Sequence, residues 1–265
     1  MTTITIDQSK SVNLYVDKQG QGQPLVFIHG WAASHRFWKY QIPYFAENHQ
    51  VIAYDLRGHG DSEQPERGYQ VSAHVDDLKI LLAKYQIASP VLIGHSLGGM
   101  IALQFALDQS TIPRALVLVG TSSHPVDSLK RSIQFSFLRF IIRLSRNRAA
   151  KFTEKELFGP DVDPQLVEWV NAESLRTPTH VILEILQDVK KFNLTARLSD
   201  LNIPVLIING EFDSATTPNS ATQMQQLLPQ AQIQVVNGAG HNCMLEKPLA
   251  FNSILISFLG ELRNR

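Results

Sequence analysis

Hydrophobic positions along the chain fall into short continuous runs separated by longer stretches of helical period. Leu25 to Ile28, Val51 to Tyr54, Val91 to Ile93, Ala115 to Val119, Val205 to Ile208 and Ile233 to Val236 read as strands, the continuous runs being those expected of strands covered on both faces. Ile4 to Ile6 and Val12 to Val16 alternate in the β manner and predict an antiparallel pair feeding into the same sheet. Between the runs, Phe37, Trp38, Ile42 and Phe45 supply the apolar positions of a helix that Pro43 kinks or ends early. Ser72 is placed to cap a second helix, whose buried side carries Val75, Leu78, Leu81 and Leu82. An Ala-rich helix follows Gly99, another spans Pro218 to Leu228, and a last one starts at Pro248. Strands alternating with helices predict an α/β chain built on a doubly wound sheet.

Between Thr121 and Asp200 no strand run is visible, and helical stretches are separated by GPDVDP and RTPT. The segment 121–200 therefore reads as a helical cap inserted into a core formed by 1–120 and 201–265. Its first helix places Ile133, Phe137, Phe140, Ile141 and Leu144 on one face and Arg139, Arg143 and Arg146 on another. The expectation is that the apolar face turns toward a substrate pocket, with Phe137, Phe140 and Ile141 among its lining, and that the arginines face outward. No acid occurs from Ser128 to Lys151. The polar face reads as solvated, with weak contact to an acidic partner or a membrane surface as the alternative.

Composition narrows the class. A chain of 265 residues with 44% hydrophobic and 18% charged side chains buries a substantial core. Its 24 basic and 24 acidic residues leave no global field for nucleic acid. The single Cys243 excludes an intramolecular disulfide and a Cys-rich metal site. No apolar run reaches the ~18 residues of a membrane span, and the first residues lack the basic and apolar regions of a signal peptide, so the cytoplasm is the expected location.

The chemistry centres on PVLIGHSLGGMIALQFALD, residues 90–108, which reads as strand, sharp turn and helix. Gly94 and Gly98 flank Ser96 where neighbouring backbone comes close, so the G-x-S-x-G spacing lifts one hydroxyl clear of the sheet edge. Leu97 begins the helix, and its N–H, lacking an intrahelical partner, can point at an oxyanion beside the serine. A serine nucleophile needs a histidine base oriented by a carboxylate. His241 follows the last strand, at the carboxyl edge where sites collect, and Asp213 holds the equivalent place after Ile208. Glu211 and Asp127 are the rival acids. His29 and His95 read as loop-ordering residues, His59 as a loop residue, and Cys243 as a small apolar filler. The loop after Ile28 offers the N–H of Trp31 as second oxyanion donor, and Trp31 also walls the acyl pocket.

HGW at 29–31, DLRGHGDS at 55–62, GHSLGG at 94–99, GEFD at 210–213 and GAGHNCMLEKP at 238–248 together resemble the α/β-hydrolase family over nearly the whole chain. The resemblance implies an eight-stranded mostly parallel sheet, a helical cap after the sixth strand, and the triad and oxyanion amides just named. Serine members include esterases, lipases, lactonases, carbon–carbon bond hydrolases and perhydrolases, and the HGW and GxSLGG pair also looks like the esterases that demethylate pimeloyl-acyl carrier protein. The expected activity is hydrolysis of a small-molecule carboxylic ester of small to medium acyl length, with no metal or organic cofactor. A carbon–carbon hydrolase, lactonase or perhydrolase on the same triad, or a receptor retaining a slow triad, is the alternative.

Overall fold

The computed structural model describes residues 2–5, 12–109 and 113–264. Its strands are β1 (Thr2–Thr5), β2 (Asn13–Gln19), β3 (Pro24–Ile28), β4 (Gln50–Tyr54), β5 (Val91–His95), β6 (Ala115–Val119), β7 (Val205–Gly210) and β8 (Ala231–Val236). They form one eight-stranded sheet of order β1-β2-β4-β3-β5-β6-β7-β8. β2 runs antiparallel to both of its neighbours, and every other pairing is parallel. Ile4 pairs with Leu14 as the alternating pattern predicts, whereas Ile6 lies outside the described residues.

The central strands are apolar throughout because helices cover both faces. Along β3, Val26 and Ile28 point into one core and Leu25 and Phe27 into the other, the two-residue alternation of a pleated strand. α1 (Ile42–Ala46), α2 (Val71–Lys84) and α3 (Leu97–Asp108) accompany the first strands. The chain between β6 and β7 folds as α4 (Leu129–Leu144), α5 (Arg146–Leu157), α6 (Pro164–Leu175) and α7 (Thr179–Val189). α8 (Pro218–Leu227), α9 (Cys243–Glu246) and α10 (Pro248–Arg263) complete the described helices. α2, α3 and α8 cover the Val26 side, and α1, α9 and α10 the Leu25 side.

Two local expectations need correction. The helix expected over Phe37 to Phe45 is two pieces, a 3-10 turn at His35–Trp38 and α1, with Pro43 in the first turn of the second piece, where its missing N–H costs nothing. Ser72 does not cap α2. The helix starts one residue earlier, and the N–H of Val71 donates to Asp188 Oδ2 at 2.8 Å, so a carboxylate from α7 replaces the local cap.

The same logic ties the α4–α7 segment to the sheet. Glu184 Oε1 accepts from the N–H groups of Gly68 and Tyr69 at 3.0 and 2.9 Å. Arg36, Asp61, Glu173 and Arg176 form a network across the junction. Its arginines and Asp61 are partly solvated, and such pairs contribute about 0–1 kcal/mol each. The buried cluster of Ala32, Ile142, Ala149, Ile182 and Leu186 outweighs them, since burying one large aliphatic side chain contributes about 1.5–3 kcal/mol.

Four histidines are buried neutral. His29 Nδ1–H donates to Gly30 O at 2.8 Å while its Nε2 accepts from Leu56 N at 2.9 Å, the loop-ordering role expected of it. His59 is the loop residue expected, between β4 and α2, and is fully buried there. Burial pushes His29 down to about 4 and His59 to about 3, and lowers His74 and His95 well below the ordinary value. Below the unfolded value of about 6.5 the unfolded chain takes up protons that these four native residues refuse. Stability should therefore fall as pH drops from about 6.5 toward 4, by up to ~1.4 kcal/mol per pH unit for each histidine. Glu246, raised, opposes this as a single group, while His241, also raised, adds stability only as pH falls to about 6.5 and is constant below it. Urea midpoints measured at pH 7.5 and pH 5 check the sign, and a midpoint that rises on acidification contradicts it.

Candidate active site

Ser96 joins β5 to α3 with φ 51° and ψ −114°, a backbone conformation that a residue with a β-carbon occupies only under constraint. Close packing supplies that constraint. A β-carbon on Gly98 would stand 2.2 Å from Ile28 O, and one on Gly94 would stand 2.3 Å from Gly98 O, so the first turn of α3 presses directly on the ends of β3 and β5. Thr121 Oγ1 donates to Ser96 O at 2.7 Å and ties the corner to the end of β6. Leu97 is the first helical residue, so its N–H has no intrahelical acceptor. A β-carbon on Gly30 would lie 3.2 Å from Ser96 Cβ, which puts the loop carrying Trp31 against the same corner.

His241 and Asp213 arrive from the last two strands. His241 Nδ1 and Asp213 Oδ2 are 3.0 Å apart, and both residues are buried. Burial works against the imidazolium, but the charge and hydrogen bond of Asp213, with Glu246 and Glu156 behind them, raise His241 above its ordinary value. Ser96 and His241 line one cavity, with no direct hydrogen bond between them. Of the rival acids, Asp127 is exposed, and Glu211 Oε2 is occupied by the N–H of Gly238 at 2.9 Å.

Sequence reasoning missed several supporting groups. Thr216 donates twice to Asp213, from N to Oδ1 and from Oγ1 to Oδ2, each at 2.8 Å, and Asn209 Nδ2 donates to Thr216 O at 2.6 Å. The NGEFDSATTP loop already held both residues, but only the fold reveals that they converge on one carboxylate. Glu246 accepts from Gly240 N at 3.1 Å and Gly159 N at 2.8 Å, which steadies the loop bearing His241. His35 pairs with buried Asp55 at 2.8 Å and is not among the residues lining the cavity that Ser96 shares with His241. Cys243 is fully buried, and burial pushes its thiol far up, which fits a filler role.

The cavity holds about 220 Å³ and is lined by Trp31, Ser96, Leu97, Met100 and His241 on the sheet side. Opposite them stand Phe135, Leu138 and Ile142 of α4 and Ile182, Ile185 and Leu186 of α7. Of the pocket residues expected from sequence only Trp31 lines it. Phe137 and Phe140 sit on the outer side of α4, 49% and 57% exposed, and Ile141 packs beside the Ala32 cluster. Arg146 is also reversed, since it lines the cavity and donates to Thr177 O and Ser174 O at 2.7 and 2.6 Å. The reason is that α4 has two apolar stripes on opposite sides, and the one chosen from sequence is the outer one.

A model of the alpha/beta hydrolase fold matches residues 23–248. The AB hydrolase superfamily protein YisY of Bacillus subtilis is 25% identical, covering 96% of this chain and 97% of that one. The non-heme chloroperoxidase CPO-A1 of Kitasatospora aureofaciens is 28% identical, covering 94% of this chain and 97% of its own length. Among solved structures, an esterase from Exiguobacterium antarcticum superposes with a TM-score of 0.91 at 23% identity, over 98% of this chain and all of the other. A match over most of the chain, together with a parallel sheet whose fifth strand ends in a strained serine corner, makes this protein a member of the α/β-hydrolase family.

Proposed function

We propose that this chain is a serine hydrolase that cleaves carboxylic esters through an acyl-enzyme. The observation that carries the reading is the strained Ser96 corner opening on one cavity with the buried Asp213–His241 pair. His241 Nε2 takes the Ser96 proton as Oγ attacks the ester carbonyl, and the N–H groups of Leu97 and Trp31 receive the oxyanion. The histidine then protonates the leaving alcohol, and water activated by the same ring releases the acid. Asp213 stays ionised and holds the imidazolium, with Thr216 as a positioning residue behind it. The α4–α7 segment acts as a cap over the cavity. At about 220 Å³, below the ~300 Å³ at which drug-sized pockets begin, the cavity suits small to medium acyl groups.

The likeness to a chloroperoxidase makes perhydrolysis the second reading, in which peroxide replaces water at the acyl-enzyme. A panel of p-nitrophenyl esters, run beside peroxide-dependent bromination in acetate, separates the two.

Ser96→Ala should lower kcat by at least ~10³ without unfolding the chain, and a variant free of wild-type carry-over that keeps a tenth of kcat contradicts the assignment. The ascending limb of kcat/KM should lie above about pH 6.5, because only neutral His241 accepts the serine proton and its partners raise it. Asp213→Asn should cost roughly 10⁴ and move that limb to lower pH, since the stabilising charge is gone. Thr216→Val should cost about 10- to 150-fold with a smaller shift, the range expected for one hydrogen bond to a charged group. A pH profile unmoved in both variants rejects the Asp213 role.

A further inference from the structure

The outer face of α4 carries a row of large apolar side chains in water. Leu129 is 79% exposed, Ile133 62%, Phe140 57% and Leu144 61%. At about 100° per residue these four fall within a sector of roughly 60°, and the cavity-lining Phe135, Leu138 and Ile142 lie on the opposite side. The outer row therefore plays no part in closing the cavity. Scattered exposed hydrophobes need no explanation, but a contiguous row along a 16-residue helix does.

The charge around the row identifies its occupant. Lys130 borders it on one side and Arg143 and Arg139 on the other. From Ser128 to Lys151 there are seven Lys or Arg and no Asp or Glu, although the whole chain balances 24 against 24. Lys130, Arg143, Arg148 and Lys151 are exposed. An apolar stripe between basic flanks matches a lipid surface with anionic headgroups, where the stripe enters the acyl boundary and the cations meet phosphates. A symmetric contact with a second copy would set the same cations against one another.

We propose that α4 docks this protein in plane on an anionic lipid surface through Leu129, Ile133, Phe140 and Leu144, with Lys130 and Arg143 on headgroup phosphates. No helix among the described residues is long and apolar enough to cross a membrane, so the attachment is peripheral. Because the inner side of the same helix roofs the cavity, docking holds the cavity against the source of lipid-dissolved esters. The docking itself does not depend on the ester reading.

The test is co-sedimentation of the full chain with phosphatidylcholine vesicles, with and without phosphatidylglycerol. The wild-type protein should partition at least about tenfold more onto the anionic vesicles, and ~1 M salt should abolish the difference. Ile133→Ser/Phe140→Ser/Leu144→Ser and Lys130→Gln/Arg143→Gln should each lower binding about tenfold while hydrolysis of a small soluble ester stays within about twofold. Absence of wild-type binding overturns the proposal, as does equal binding to neutral vesicles. A wild-type dimer that the triple variant converts to monomer overturns it in favour of a second copy. Loss of soluble-ester hydrolysis in a folded triple variant returns this face to the pocket and overturns it too.

Discussion

The contact between the first turn of α3 and the ends of β3 and β5 leaves no room for a side chain, and the rest of the site is arranged around that closeness. Any β-carbon at Gly98 would collide with the carbonyl of Ile28, and any at Gly94 with that of Gly98. Ser96 is thereby forced into a left-handed turn, a strain of the order of 1–3 kcal/mol that only rigid surroundings sustain. The six parallel strands from β4 to β8 supply that rigidity through helices on both faces. The same closeness brings the loop after β3 beside Ser96, where the Trp31 and Leu97 amides stand ready in the proposed mechanism.

Burial then separates the histidines by their partners. His74 and His95 are as deeply buried as His241, yet only His241 faces a buried carboxylate, and it alone of the three is raised. In a medium of low dielectric, one well-placed charge decides whether an imidazole is a base or an inert wedge. Asp213 holds its own position because Thr216 accepts no freedom from it: two donors from one residue fix both carboxylate oxygens. Pairing alone does not make a site, as His35 and Asp55 show by pairing away from the cavity.

What was legible in the sequence follows from how local the signal was. Runs such as Ala115 to Val119 declare strands buried on both faces, and G-x-S-x-G declares its turn, because sterics within a few residues settle both. Ser72 misled because Asp188, 117 positions along the chain from Val71, supplies the acceptor that a local cap would have supplied. Thr216 went unnoticed because its role exists only once β7 and the His241 loop meet. For α4 the period was right and the direction wrong. A helix with apolar residues on opposite sides gives two equally valid stripes, and only packing against α7 and Ala32 tells which one is inside.

The proposed mechanism requires Ser96 to be an activated hydroxyl. Treatment with a fluorophosphonate, followed by intact-mass measurement and peptide mapping, tests this without knowledge of the substrate. A single adduct is expected, located on Ser96, that forms faster as pH rises through the titration of His241 and is absent from Ser96→Ala. An adduct on another residue, or none in a folded protein, would contradict it.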